Sequence, residues 1–216
     1  MAFLLYAVTE SSPAALASPP GVGGASVNSL EVCGLTCCYS ECPTGADANT
    51  RETALQFHRV VSKLFEKNDV IPFRFPTFLS DRAQMKSEIE KHASEYHDGL
   101  AKVRGRVQME IRIQFRDKEQ EPGTRGDVTS GTEYLRRRYR RHVLISAAGD
   151  TLRSATAEWI EQWRTRECSG NLRCFALIPR GHVQDFQRAL AEASMESDLV
   201  ARVSGPWPAT EFLKED

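Results

Sequence analysis

The groups in this chain with the greatest chemical potential are six cysteines, five histidines and one run of arginines. Four cysteines lie close together, Cys33, Cys37, Cys38 and Cys42, and Cys168 and Cys174 follow far downstream. Thiolates hold zinc or carry redox chemistry, but structural zinc sites pair cysteines at C-x2–4-C and complete the set with a second pair or with histidines. The spacing C-x3-C-C-x3-C has no such complement. In an extended segment Cys37 and Cys38 point to opposite faces, which keeps them from sharing one ion. They read instead as small hydrophobes in a buried strand. The histidines (His58, His92, His97, His142 and His182) are scattered. The sequence contains no G-x-S-x-G elbow and no H-E-x-x-H pair, and Gly21-Val22-Gly23-Gly24 opens no helix that would cradle a phosphate. With no convergent set of polar groups, the expectation is a protein that is not an enzyme and uses no cofactor, metal or small-molecule substrate.

The arginine run is Arg136-Arg137-Arg138-Tyr139-Arg140-Arg141. On a helix, Arg137, Arg140 and Arg141 cluster to one side and Tyr139 is free to stack, which would suit nucleic acid or an acidic protein partner. The opposing reading is a solvated helix face balanced by Glu133, Glu158 and Glu161. Lys and Arg total 28 against 29 Asp and Glu, a net charge of −1. That balance argues against a general affinity for nucleic acid or anionic lipid, so nucleic acid is not the expected partner.

The elements that would position these groups follow from periodicity. Residues 2–8 are apolar and read as a buried strand. No Lys or Arg precedes Arg51, so the N-terminus lacks the charged region of a signal peptide. Residues 9–29 read as a Ser, Pro, Gly and Ala-rich loop, and 30–40 as one second strand. Asp47, Asn49 and Thr50 are candidate caps for a helix to about Lys67, with Ala54, Phe57, Val61 and Leu64 on one face. Residues 70–76 carry two prolines and read as an edge strand. Asp81, with Gln84 three residues on, starts a second helix. Its buried stripe would be Met85, Ile89, His92, Tyr96, Leu100 and Val103, which makes His92 a core residue rather than a ligand.

Over 106–115, Val107, Met109, Ile111, Ile113 and Phe115 alternate with polar residues. Such alternation predicts one wet and one buried face. Residues 117–131 form a charged, Gly-rich loop, in which Arg125-Gly126-Asp127 matches an adhesion tripeptide by chance. A helical region is expected from Thr132 to Thr165, with Gly149-Asp150 as a possible break. A strand over 172–178, a helix through Val183, Phe186 and Leu190, and a strand over 199–204 complete the chain. The expected fold class is α+β with two domains, 1–103 and 104–216, the second a ferredoxin-like variant with a long helical region. No apolar run approaches the length needed to span a bilayer.

Three stretches resemble the GvpL/GvpF family of gas vesicle proteins. Phe3-Leu4-Leu5-Tyr6-Ala7-Val8 with Leu35-Thr36-Cys37-Cys38-Tyr39-Ser40-Glu41 is similar to the family's first strands. His58-Arg59-Val60-Val61 leading to Asp69-Val70-Ile71-Pro72-Phe73-Arg74-Phe75 resembles its H-x-x-V helix and "VLPxRFG" segment. Val203-Ser204-Gly205-Pro206-Trp207-Pro208 resembles its terminal "SGPWPPYSF". Gly131-Thr132-Glu133-Tyr134-Leu135-Arg136 is similar to its "GxxYLxxK/R" helix start. Pro76 stands where the family usually has glycine, and Ala209-Thr210-Glu211 departs from its Pro-Tyr-Ser. The resemblance implies a cytoplasmic protein that helps to assemble or line a gas-filled protein shell. It further implies contacts with the shell protein and with sibling accessory proteins. Candidate contact or structural residues are Arg74, Phe75, Arg137, Arg140, Arg141, Gly205, Pro206, Trp207 and Pro208. Trp207, between two prolines, reads as a cap over the core ahead of an interface anchor.

Overall fold

The computed structural model describes residues 2–12, 19–42, 50–116, 131–168, 171–193 and 198–213. It is an α+β protein that divides into two compact units, Met1–Arg106 with Trp207–Asp216, and Val107–Pro206.

In the first unit, β1 (Ala2–Thr9) is the sheet's centre. It pairs antiparallel with β3 (Leu35–Cys42) on one side and with the short β4 (Ile71–Pro72) and β5 (Phe78–Leu79) on the other. β2 (Val27–Val32) pairs antiparallel with β3. The expected single strand over 30–40 is therefore a hairpin. Its turn is Cys33-Gly34, with φ of 51° and 75°. Two successive positive φ values give a turn whose twist matches that of the strands, and glycine at the second position takes that conformation without strain. Cys33 is thus exposed on the turn and is not a strand core residue.

Cys37, Cys38 and Cys42 are buried, and burial pushes the Cys38 thiol up to about 12 and raises Cys37 as well. The two neighbours do face opposite ways. Cys37 joins Leu5, Val8, Leu35 and Tyr39 beneath Met85, Ile89 and Leu100. The other face of β1 presents Tyr6, whose ring stacks on Phe57 at 5.2 Å. Phe57 belongs to α1 (Arg51–Phe65), which starts at a capping box made by Thr50 and Thr53. Helices on both faces explain why β1 and β3 are apolar almost throughout.

The expected second helix is two helices, α2 (Arg82–Lys91, capped by Asp81) and α3 (Ala93–Val103), which meet at His92. The break turns the imidazole out of the core. His92 lies half-exposed between the carboxylates of Glu88 and Glu95, at 3.4 and 3.1 Å. Met85, Ile89, Leu100 and Val103 are buried as expected.

The second unit runs β6 (Arg106–Phe115), α4 (Gly131–Ala155), β7 (Gln162–Cys168), β8 (Asn171–Pro179), α5 (Val183–Glu192) and β9 (Leu199–Trp207). Its strands lie in the order β7-β8-β6-β9. The expected helix to Thr165 ends ten residues early, and Trp163 stands on a strand. Gly149 does not break α4. It is buried where the helix passes closest to the sheet, and a Cβ there would fall 2.8 Å from Leu172 Cδ2 and 3.8 Å from Cys174 Sγ and Ile113 Cδ1. The close approach needs the missing side chain, which outweighs the helix-propensity cost.

The polar side of β6 is only partly wet, with Arg112 exposed and Arg106 and Gln114 half-buried. Gln108 and Glu110 are buried along with Val107, Met109, Ile111 and Ile113. Burial pushes the Glu110 carboxyl up, and hydrogen bonds from the guanidiniums of Arg173 and Arg112, each at 2.8 Å, outweigh it and hold the group below its ordinary range. The segment 117–130, with its Arg125-Gly126-Asp127 tripeptide, and the candidate caps Asp47 and Asn49 lie outside the described residues.

Candidate interaction surfaces

The candidate residues separate by what surrounds them. In the first unit the family-like motifs meet around α1. Phe57 touches Tyr6 on one side and Phe75 on the other, with ring centroids 5.0 Å apart in the second pair. The next residue, His58, meets the ring of Trp207 at 5.3 Å. Phe75 and Trp207 are each half-buried. Arg74 is exposed, and its backbone carbonyl accepts a hydrogen bond from the Thr77 hydroxyl. Beyond Trp207, Pro208 accepts from the Thr210 amide at 2.8 Å, and Ala209 and Phe212 are buried. The substituted tail therefore still delivers a buried phenyl ring. Gly205 has φ of 124°, and a Cβ at that position would fall 2.9 Å from the Gln108 carbonyl. Only glycine allows β9 this approach to β6.

The arginine run occupies the first turns of α4. Arg137 and Arg140 are exposed, while Arg141 is half-buried with its guanidinium carbon 4.4 Å above the Phe115 ring. Arg141 is therefore part of the packing of its own unit. Leu135, Tyr139 and Val143, four residues apart, are 62%, 68% and 44% exposed. Residues at that spacing share a helix face, so three apolar side chains form one solvent-facing row. The sequence reading marked Tyr139 and overlooked its two neighbours, although their i, i+4, i+8 spacing was visible.

A second cluster has no local signal in the sequence. The Glu10 carboxylate at the end of β1 receives hydrogen bonds from His97 Nδ1 at 2.9 Å and from Arg104 at 2.6 Å. Those two bonds hold Glu10 below the usual carboxylate range. His97 Nε2 lies 2.9 Å from the Cys33 carbonyl. Both imidazole nitrogens thus face acceptors, and only the imidazolium donates to both. The Glu10 bond, then the Cys33 carbonyl, raise the histidine accordingly. Clefts of about 220 and 450 Å³ flank Glu10, one lined by Thr9, Asp69 and Arg104 and the other by Glu31, Cys33 and Thr36. As an imidazolium His97 has no lone pair to offer as a general base, and its bonds to Glu10 and to the Cys33 carbonyl clasp α3, the end of β1 and the hairpin turn together. Among the described residues, no three His, Cys, Asp or Glu side chains are grouped to hold a metal ion, and no helix is long and apolar enough to cross a membrane.

The fold has close counterparts. The crystal structure of the gas vesicle protein GvpF from Anabaena sp. PCC7120 superposes with a TM-score of 0.80 at 14% identity, covering 100% of this chain and 97% of that one. GvpF from Microcystis aeruginosa gives a TM-score of 0.77 at 14% identity, with 99% of each chain covered. At such identity the likeness speaks for the fold alone. No curated protein sequence matches the chain. The family model described as gas vesicle synthesis protein GvpL/GvpF matches residues 2–214. With nearly every residue inside that match, the chain belongs to the GvpL/GvpF family of gas vesicle proteins.

Proposed function

We propose that this protein takes part in assembling the gas vesicle through protein-protein contacts, acting as an accessory or minor structural component and not as an enzyme. The family match over residues 2–214 carries the reading. The distribution of roles supports it. Phe57 and His58 of α1 pack against the family-like Phe75 and Trp207, and Glu10, His97 and Arg104 bond one another. What remains for function is surface. Its partners are the shell protein and sibling gas vesicle proteins, and its place is the cytoplasm, at the vesicle. In architecture we read two domains. The second is a ferredoxin-like variant, because its β-α-β-β-α-β order and its β7-β8-β6-β9 arrangement fit that layout.

The test is affinity isolation of the tagged chain from cells forming gas vesicles, under mild conditions, with the bound proteins identified by mass spectrometry. Co-isolation of the shell protein or of other gas vesicle proteins is the expected result. Recovery without any of them, together with normal vesicles in cells lacking the gene, would remove the reading.

A further inference from the structure

We infer that the first turns of α4 are a docking site for an acidic amphipathic helix of a partner protein. The inference rests on the assembly reading above and names the surface and chemistry of one contact. Leu135, Tyr139 and Val143 form an exposed row along the helix. At 100° per residue, Arg136 and Arg140 lie along one edge of that row and Arg138 along the other. Arg136, Arg138 and Arg140 are themselves exposed. An apolar seam bordered by cations is the complement of a helix that carries leucines in one stripe and Asp or Glu beside it.

Other occupants fit less well. A second copy laid on the same face would set arginine against arginine, because Glu133 is the single acidic residue between Gly131 and Gly149. A phosphate backbone has no use for exposed Leu135 and Val143, and a chain of net charge −1 supplies no wider field for it. For an anionic membrane the seam is narrow, three side chains without Trp or Phe.

The probe is a fluorescein-labelled synthetic helix of about three heptads, with leucine in the seam and glutamate on both flanks. A control peptide replaces every glutamate by lysine. Binding to the full chain is followed by anisotropy at low salt and at about 0.3 M, where charges are screened over a few ångströms. The acidic helix should bind and the lysine peptide should not. Leu135→Ser with Tyr139→Ser should weaken binding about tenfold at both salts, since burial of those side chains is lost. Arg136→Gln, Arg138→Gln and Arg140→Gln together should weaken it about tenfold at low salt and much less at high salt. All five positions are exposed, and unchanged circular dichroism will exclude misfolding.

Equal binding of the two peptides would overturn the inference. So would tighter, equally mutation-sensitive binding to duplex DNA or to phosphatidylserine vesicles. Binding that emerges only when Glu119 and Glu121 are changed to Gln would identify the chain's own 117–130 segment as the occupant, and would likewise overturn it. Loss of the peptide result alongside intact co-isolation of gas vesicle proteins would reject this surface and leave the assembly role standing.

Discussion

Phe57 is the side chain around which the family-like motifs pack, and its replacement offers a measurable test of that statement. Its ring is 6% exposed, stacked 5.2 Å from Tyr6 and tilted 5.0 Å from Phe75. Phe57→Ala removes the buried ring and leaves a cavity, at a cost of about 3–5 kcal/mol. Phe75 is half-buried, so Phe75→Ala forfeits less area, about 1–2 kcal/mol. Each aromatic pair contributes about 0.5–1.5 kcal/mol beyond area. Once Phe57 is gone, Phe75 has lost that partner, so the double mutant should be less damaged than the sum by about the same 0.5–1.5 kcal/mol. The assay is equilibrium urea unfolding of the wild type, both single mutants and the double mutant, with midpoints compared at constant m-value. Arg74→Ala is the neighbouring control and should stay within about 0.5 kcal/mol, since its side chain is exposed. Additivity of the two phenylalanines to within about 0.3 kcal/mol would show that Phe75 does not pack on Phe57, and the account of this motif would fail.

Three further outcomes are expected. Gly205→Ala should destabilise by about 2–4 kcal/mol, because it forces a β-carbon into a φ of 124° and to 2.9 Å from the Gln108 carbonyl; urea midpoints no different from wild type would contradict it. Glu110 is held below its ordinary value when folded, so its stabilisation is full above the normal carboxylate range and is lost as pH falls through the depressed value. Glu110→Gln should flatten the acid limb of the stability profile, and an unchanged acid midpoint would argue against the two-arginine account. His97 is raised when folded, so its contribution is full below the ordinary imidazole range and disappears as pH rises through the higher value. His97→Phe should therefore lose stability at pH near 5–6 and match wild type in alkali, by no more than about 1 kcal/mol for so exposed a group; an NMR titration showing an unshifted imidazole would refute the clasp.

The sequence by itself determined the element types wherever one local rule acted alone. Thr50 and Asp81 cap helices because their side chains lie next to the amides they serve. Leu5, Val8, Cys37 and Ile89 are apolar because they are buried. Those signals also carried the likeness to the family, since motif order survives where identity does not. Tertiary structure decided where two rules competed. Gly149 reads as a helix breaker, but Leu172 and Ile113 stand where its β-carbon would be, and the helix continues. Gln108 and Glu110 read as solvent-facing, but Arg112 and Arg173 satisfy the carboxylate and it is buried. His92 sits on the apolar stripe, but the helix breaks beneath it and the ring turns to two glutamates. The pairing of Glu10 with His97 spans 87 residues of chain, and no local pattern encodes a partner chosen by folding. Periodicity reports which face of an element is apolar, while what lies across from that face is settled only when the chain has packed.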